Sequence, residues 1–362
     1  MAFPDAAHMR AALRLARKGV GRTSPNPAVG AVLVRAGTVV GAGYHRRAGL
    51  PHAEVEAIRA AGAAARGADL YVTLEPCAHA GRTGPCTGAI LAAGIRRVAA
   101  AMEDPNPLVS GRGFAALRAA GVAVAAGLLE REAREINAGY CRWIVSGRPH
   151  VTLKLALSMD GQIAARSGSS RWISGAKARA VVHRMRSAAD AVLVGGETLR
   201  RDDPLLTARV PGGRDPKRIV LTSRPGAVAG SRLVRGGPPG VIVVSPRGVP
   251  AREAERARAA GARVLLLPAR GGRIGAATLL RALGREGIAS LLVEGGGRTA
   301  GWLLAEDAVD RFVFFLAPLL LGDGVRAFSG FSARTVAGGR GLSVRSVRRV
   351  GPDLMVTAER GV

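Results

Sequence analysis

Three residues of the kinds that bind zinc, and one that can move protons, fall close together early in this chain: His52-Ala53-Glu54, then Pro76-Cys77, then Cys86. Zinc favours imidazole nitrogen and thiolate sulfur, and a catalytic site uses three protein ligands and keeps the fourth position for water. His52, Cys77 and Cys86 meet that requirement. The metal lowers the pKa of its water toward neutrality and so provides a nucleophile. Glu54, two residues past the imidazole at a helix start, is expected beside the metal without ligating it. There it can take the water proton and hand it to a ring nitrogen and then to a departing amine. Free cysteine is commonly a small core hydrophobe, but Pro76-Cys-Ala-His-Ala-Gly-Arg-Thr-Gly-Pro-Cys86 is too polar and glycine-rich for a core. His79 is the sole nearby residue that could turn the site into a closed, structural one. Cys141 reads as packing.

A second chemical signal lies in the other half. Val293-Glu-Gly-Gly-Gly297 ends a strand pattern and opens a helix near 299–305. Glycines let backbone amides approach a pyrophosphate, and a helix N-terminus favours its charge. The Gly-x-Gly-x-x-Gly of a Rossmann unit is absent. Arg224, just past a strand ending at Ser223, is placed for an adenosine 2′-phosphate, which selects NADPH over NADH. Taken alone, the glycine run fits a plain turn equally well, and Arg224 a solvated surface.

The elements that must position these groups alternate short Val/Ile/Leu runs with Ala-rich helical stretches, the pattern of an α/β protein. Asp5 is an N-cap for a helix reaching Lys18. Strands at 29–34 and 39–44 form a hairpin, followed by a helix at 53–65, a strand at 70–74, a helix at 87–93, a strand at 98–102, a helix at 113–120 and a strand at 122–126. A charged helix over 128–146 runs into Gly147-Arg148-Pro149, which sets the boundary between domains 1–146 and 150–362. The second domain restarts with a strand at 151–157 and continues with strands at 191–194, 218–221, 241–244, 264–267 and 291–293. Helices fit at 176–188 and 251–259, a strand-like run at 311–321, and a terminal hairpin at 342–356. There is no repeat of solenoid period.

The bulk numbers limit the function classes. A chain of 362 residues exceeds one ordinary core. No run of about 18 apolar residues could span a membrane, Met1-Ala-Phe-Pro-Asp5 is no signal peptide, and three cysteines make no disulfide framework. The expected compartment is cytoplasmic. Net charge of +27 invites a nucleic-acid reading, yet only four of the 53 basic residues are lysine and the arginines are scattered without interleaved aromatics. A solvated Arg-rich surface suited to anionic phosphorylated metabolites explains the charge better. The alternative is a nucleobase or tRNA deaminase carrying an unrelated appended domain.

His-Ala-Glu with a later Pro-Cys and Cys resembles the zinc deaminases of cytidine and related bases, whose usual spacing is Cys-x-x-Cys; here eight residues separate Cys77 from Cys86. With Ser24-Pro-Asn-Pro-Ala-Val-Gly30 upstream, the pattern closely resembles the bifunctional riboflavin-biosynthesis deaminase/reductase family. Further segments similar to that family are Thr152-Leu-Lys-Leu-Ala-Leu-Ser-Met-Asp-Gly-Gln-Ile-Ala164, Arg171-Trp172-Ile-Ser174, Gly196-Glu-Thr-Leu-Arg-Arg-Asp-Asp-Pro-Leu-Leu-Thr-Ala-Arg209 and Val293–Gly297. The likeness runs from about residue 5 to 325. Met159 stands where leucine is usual, and Glu56 where many relatives carry a second histidine.

The resemblance implies an N-terminal cytidine-deaminase-like three-layer α/β/α domain and a C-terminal dihydrofolate-reductase-like α/β domain. It implies zinc-dependent hydrolysis of the 2-amino group of a diaminopyrimidinone ribosylamine 5′-phosphate, with one zinc per deaminase domain. NADPH-dependent reduction of the ribosyl group to ribityl follows. By the same resemblance Asn26 and His45 line the base pocket and Arg82 meets substrate. Ala156, Trp172, Thr198, Asp202, Ser223 and the 296–302 segment, with Gly296 and Gly297, contact NADP. Ser170, Arg186, Leu206, Arg209 and Glu294 meet the substrate, Arg186 and Arg209 having the guanidinium fork that suits a phosphate. Read without the family, Asn26 and His45 fit a turn and a surface, Trp172 a core, and Asp202 a cap or turn. The expected partner is a small phosphorylated pyrimidine, in a homo-oligomer that engages neither nucleic acid nor membrane.

Overall fold

The structure, a computed structural model, describes residues 3–78, 84–238 and 240–361. It forms two compact units, Met1–Gly147 and Arg148–Val362.

The first unit runs α1 (Ala6–Arg17), β1 (Gly30–Arg35), β2 (Thr38–Tyr44), α2 (Ala53–Ala61), β3 (Asp69–Val72), α3 (Cys86–Ala92), β4 (Arg97–Ala100), α4 (Arg112–Ala119), β5 (Ala123–Ala126), α5 (Glu130–Ile136) and α6 (Ala138–Ser146). Asp5 caps α1 by accepting from the Ala7 N–H at 2.6 Å, which satisfies one of the amides a helix start leaves unpaired. Met9, Ala12, Leu13 and Ala16 form its buried stripe at helical spacing. The sheet order is β2-β1-β3-β4-β5, with β1 antiparallel to β2 and β3 and β3, β4 and β5 parallel. β1 is buried on both faces up to Arg35, as its unbroken Ala-Val-Leu-Val run requires.

Two glycines show how helices cover both faces. A Cβ on Gly30 would meet the Ala12 carbonyl of α1 at 2.1 Å, and one on Gly43 would meet the Ala57 amide of α2 at 2.6 Å. Gly43 pairs with Ala31, whose side chain points opposite to that of Gly30. α1 and α2 therefore sit on opposite faces, giving three layers. The Gly43 contact presses α2 onto β2 and fixes where its first turn, with His52 and Glu54, stands.

The second unit runs β6 (His150–Ser158), β7 (Gln162–Ala164), α7 (Ala176–Ala188), β8 (Ala191–Gly195), α8 (Gly196–Asp202), β9 (Lys217–Leu221), α9 (Arg232–Arg235), β10 (Val241–Pro246), α10 (Ala251–Ala259), β11 (Arg263–Leu267), α11 (Ala276–Arg285), β12 (Ser290–Val293), α12 (Gly297–Ala305), β13 (Arg311–Ala317), β14 (Val325–Arg326), β15 (Leu342–Val350) and β16 (Asp353–Arg360). The main sheet is β11-β10-β9-β8-β12-β6-β13-β16-β15, and β7 pairs with β14 in a separate ribbon. Strands β11 through β13 are parallel, and the β15–β16 hairpin adds antiparallel to β13. Parallel strands are covered on both sides, so they read as continuous apolar runs. Leu193 accordingly joins the core with Leu153 and Val293, while Val192 and Val194 join the opposite one with Val220 and Val243.

Beyond the terminal hairpin, which runs on to Arg360, and the β7–β14 ribbon, which the pattern did not suggest, three elements differ from the sequence reading. The single charged helix over 128–146 is two helices, broken at Asn137. That buried side chain turns inward, accepting from the Ala28 N–H at 2.7 Å and donating to the Ala28 carbonyl at 3.0 Å. The helix begun at Ala53 tightens into a 3₁₀ turn over Gly62–Ala65. The strand begun at Arg311 stops at Ala317.

Candidate active sites

In the first unit the ends of three elements converge. α2 starts immediately after His52, Cys77 follows the end of β3 by five residues, and Cys86 is the first residue of α3. His52 Nδ1 lies 3.1 Å from Cys86 Sγ and 3.6 Å from Cys77 Sγ, and the three ligand atoms all lie within 4.8 Å of one another. A tetrahedral zinc with bonds of roughly 2.0–2.1 Å to nitrogen and 2.3 Å to sulfur holds such atoms about 3.6 Å apart, so the residues present fit that metal. Among the described residues no fourth His, Cys, Asp or Glu joins the group; His79 and Arg82 lie outside the described residues.

The electrostatics match a metal-binding pair of thiols. Hydrogen bonding with the Cys86 thiol pulls Cys77 down to about 4, with His52 adding to the effect; the same contact and burial push Cys86 up. The Cys86 backbone N–H, at the start of α3, donates to Cys77 Sγ at 3.4 Å, where a helix N-terminus favours thiolate. His52 is raised, first by its hydrogen bond to Cys77. Glu54 is only 3 % exposed, and burial raises its carboxyl above the usual range, the direction that suits a group taking and releasing protons near neutral pH.

Asn26 and His45 are beside this cluster. The His45 ring packs edge-on against His52, centroids 5.3 Å apart. Its Nδ1 is 3.1 Å from the Pro51 carbonyl oxygen, which can only accept, so Nδ1 carries the hydrogen. That leaves Nε2 to accept from Asn26 Nδ2 at 3.3 Å, and burial keeps the ring neutral by lowering its pKa. The Asn26 carbonyl oxygen is thereby the amide's remaining acceptor. Asn137, through Ala28, clamps the loop that carries Asn26. Cys141, as expected, packs against the core, and burial raises it to about 11.

The second unit gathers its residues at strand ends. Thr198 and Asp202 follow β8, Ser223 and Arg224 follow β9, and Gly296 and Gly297 follow β12; these strands are parallel neighbours, so all six lie off one edge of the sheet. The carboxyl ends of parallel strands are where α/β sheets bind ligands. α12 begins at Gly297 without a side-chain cap. Gly297 is packed so closely that a Cβ would meet the Arg326 carbonyl at 2.2 Å. These free helix-start amides fit a phosphate-bearing cofactor. Trp172 is 70 % exposed, with the Arg179 guanidinium 4.4 Å over its ring, which removes the core alternative. Arg171 ties that segment to the Asp202 carbonyl at 2.6 Å. Ala156 lies in β6 two residues after Lys154, on the same strand face.

Arg186 forks onto Glu294 through Nε at 2.6 Å and an Nη at 3.0 Å, and its other Nη donates to the Thr207 carbonyl at 3.1 Å. Burial alone would raise the Glu294 carboxyl, but Arg186, with Lys154 and His183 adding to its effect, outweighs burial and lowers the group from its ordinary value. His183 Nδ1 donates to the same Thr207 carbonyl, and Arg209 Nε lies 3.3 Å from Thr207 Oγ1. Leu206 and Arg209 both have positive φ. Leu206 is buried as a whole residue, its side chain in the core. Ser170 is half-buried in the turn preceding Trp172. Lys154 was missed from sequence; its Nζ is 3.9 Å from Glu294, and burial lowers its pKa. The available signal was a lysine inside an otherwise apolar alternating strand.

Comparison with known proteins agrees with both halves. Residues 4–102 match the cytidine and deoxycytidylate deaminase zinc-binding region, and residues 149–356 match the RibD C-terminal domain. Riboflavin biosynthesis protein RibD of Aquifex aeolicus is 42 % identical over 357 residues, covering 98 % of each chain. Among solved structures, Acinetobacter baumannii RibD aligns with TM-score 0.89 at 34 % identity over 99 % of both chains. A Thermotoga maritima diaminohydroxyphosphoribosylaminopyrimidine deaminase/5-amino-6-(5-phosphoribosylamino)uracil reductase aligns with TM-score 0.87 at 36 % identity over 98 % of both. The chain belongs to the RibD family of riboflavin-biosynthesis enzymes, with a zinc-binding deaminase region followed by a reductase domain in one polypeptide.

Proposed function

We propose that the first unit removes the 2-amino group of a diaminopyrimidinone ribosylamine 5′-phosphate by hydrolysis, and that the second reduces the ribosyl group of the product with NADPH. The observation that carries the first half is the set of three ligand atoms within 4.8 Å beside a buried Glu54. His52, Cys77 and Cys86 hold zinc, which when bound supplies an acidified water as nucleophile. Glu54 accepts the first water proton and passes it to a ring nitrogen, then takes the proton of the added hydroxyl and delivers it to the departing amine as the carbonyl forms. Asn26, its amide oriented by His45, offers its oxygen to a ring N–H, and Arg82 meets the substrate.

In the second unit the amides of Gly296 and Gly297, with Thr198, Asp202 and Ser223, bind the cofactor. Trp172 and Ala156 line its site, and Arg224 selects the 2′-phosphate of NADPH. The nicotinamide, when bound, supplies hydride to C1′ of the opened ribose. Ser170, Leu206 and Arg209 bind substrate; Arg186 keeps one hydrogen on each terminal nitrogen for a phosphate while it holds Glu294 in place. The enzyme is cytoplasmic and a homo-oligomer; no described helix is long and apolar enough to cross a membrane. Mass analysis of products from the diaminopyrimidinone phosphate tests the assignment. Exchange of an amine for oxygen without NADPH, and addition of two hydrogens only when NADPH is present, is expected. An unchanged substrate in both reactions contradicts it.

A further inference from the structure

Eight residues separate Cys77 from Cys86, so the local geometry that a Cys-x-x-Cys turn imposes on its two sulfurs is missing here. Cys77 must be held from elsewhere. Glu75, two residues earlier, is 3 % exposed, and its carboxylate accepts from four backbone N–H groups. Oε2 takes Asp104 at 3.1 Å and Gly111 at 3.0 Å, and Oε1 takes Gly113 at 2.8 Å and Phe114 at 3.2 Å. A carboxylate offers about four acceptor sites, and all are used.

Three of these donors belong to Gly111 and the first turn of α4, whose N-terminus has no side-chain cap of its own. Amides there lack helical partners and favour a negative charge. The Glu75 backbone N–H is also held, by the Met102 carbonyl at the end of β4. Pro76 is pressed between them: a Cβ on Gly113 would meet its carbonyl oxygen at 1.9 Å. On the other side, the Cys77 carbonyl accepts from Thr87 of α3 at 3.2 Å, and its sulfur from the Cys86 N–H.

We propose that Glu75 is a positioning residue for the metal site: by anchoring the β3 end to the start of α4, its carboxylate sets the place of the Cys77 thiolate opposite His52 and Cys86. The inference rests on the zinc reading above. Glutamine keeps the size of Glu75 but turns one acceptor into an N–H₂ facing two N–H groups. Aspartate keeps the charge but loses reach.

In the full chain, zinc affinity measured by competition with a chromophoric chelator should fall about 10–100-fold in both Glu75→Gln and Glu75→Asp, the range for partners that orient metal ligands. The thiolate-to-cobalt absorption of the cobalt-substituted protein should shift in both, while NADPH-dependent reduction is unchanged. Native zinc affinity and an unaltered cobalt spectrum in the variants overturn the proposal. So does a drop in the thermal stability of the metal-free protein with native zinc affinity, which makes Glu75 a fold stabiliser alone. If Glu75→Gln is insoluble, Glu75→Asp decides by the same readings. Absence of zinc from the wild-type protein overturns the zinc reading itself, and with it the inference.

Discussion

In the first unit the proposed reacting groups are few and close: the ligand atoms of His52, Cys77 and Cys86 meet within 4.8 Å, and Glu54 is buried. In the second unit the assigned residues are dispersed over the ends of β6, β8, β9 and β12, over α7 and the segment before it, and over the 206–209 segment. The contrast follows from what each site has to hold. A metal ion asks for particular side-chain atoms in a fixed polyhedron. A dinucleotide is held largely by backbone amides at strand ends and helix starts, where side-chain identity is less restrictive. Among the residues assigned in the second unit, Arg186 and Glu294 form a buried side-chain pair, with Lys154 nearby.

That contrast predicts unequal sensitivity. The largest effect is expected for Cys77→Ser or Cys86→Ser, each of which removes one of three ligands. Zinc content by metal analysis and deaminase activity should both be lost while NADPH-dependent reduction of the deaminated substrate persists. Full zinc occupancy in both variants would remove the ligand assignment.

A smaller, energetic effect is expected in the second unit. Arg186→Met leaves Glu294 without its fork, and breaking one partner of a buried pair costs about 3–5 kcal/mol. Denaturant unfolding followed by far-UV circular dichroism measures it. The pH dependence has a definite sign. Glu294 is depressed in the folded protein, so its stabilising contribution is complete above the carboxyl's unfolded value and fades as pH falls through the folded one. Wild-type stability should thus decline on acidification more steeply than that of Arg186→Met. Equal acid slopes would show that Arg186 does not control the Glu294 charge.

The same physical difference explains what could be read from sequence. Strand and helix alternation, the break at Gly147-Arg148-Pro149 and the zinc triad are local patterns, each carried by residue types with a narrow set of uses. Asn137 ends a helical pattern because it pairs with Ala28, 109 residues away, and nothing near it in the chain announces that partner. Lys154 and Glu294 meet only because β6 and β12 are neighbours in the sheet. Glu75 sits inside an ordinary strand-end sequence, and its role appears only once α4 is seen folded against it. Leu206 carries a functional assignment by resemblance, yet it is a core residue; its positive φ is not a property of leucine and could not be anticipated.

The central claim is that two chemically independent sites share this chain, and Glu54→Gln addresses it most directly. Glutamine preserves size and hydrogen bonding but cannot carry the proton. Zinc should remain bound while deamination falls toward the upper end of the roughly 10²–10⁴-fold that a general acid–base group contributes. The same preparation, given the already deaminated ribosylamine phosphate, should oxidise NADPH at the wild-type rate. Near-normal deamination would contradict Glu54 as the proton carrier, and loss of both activities in a folded, zinc-replete variant would contradict the two-site account.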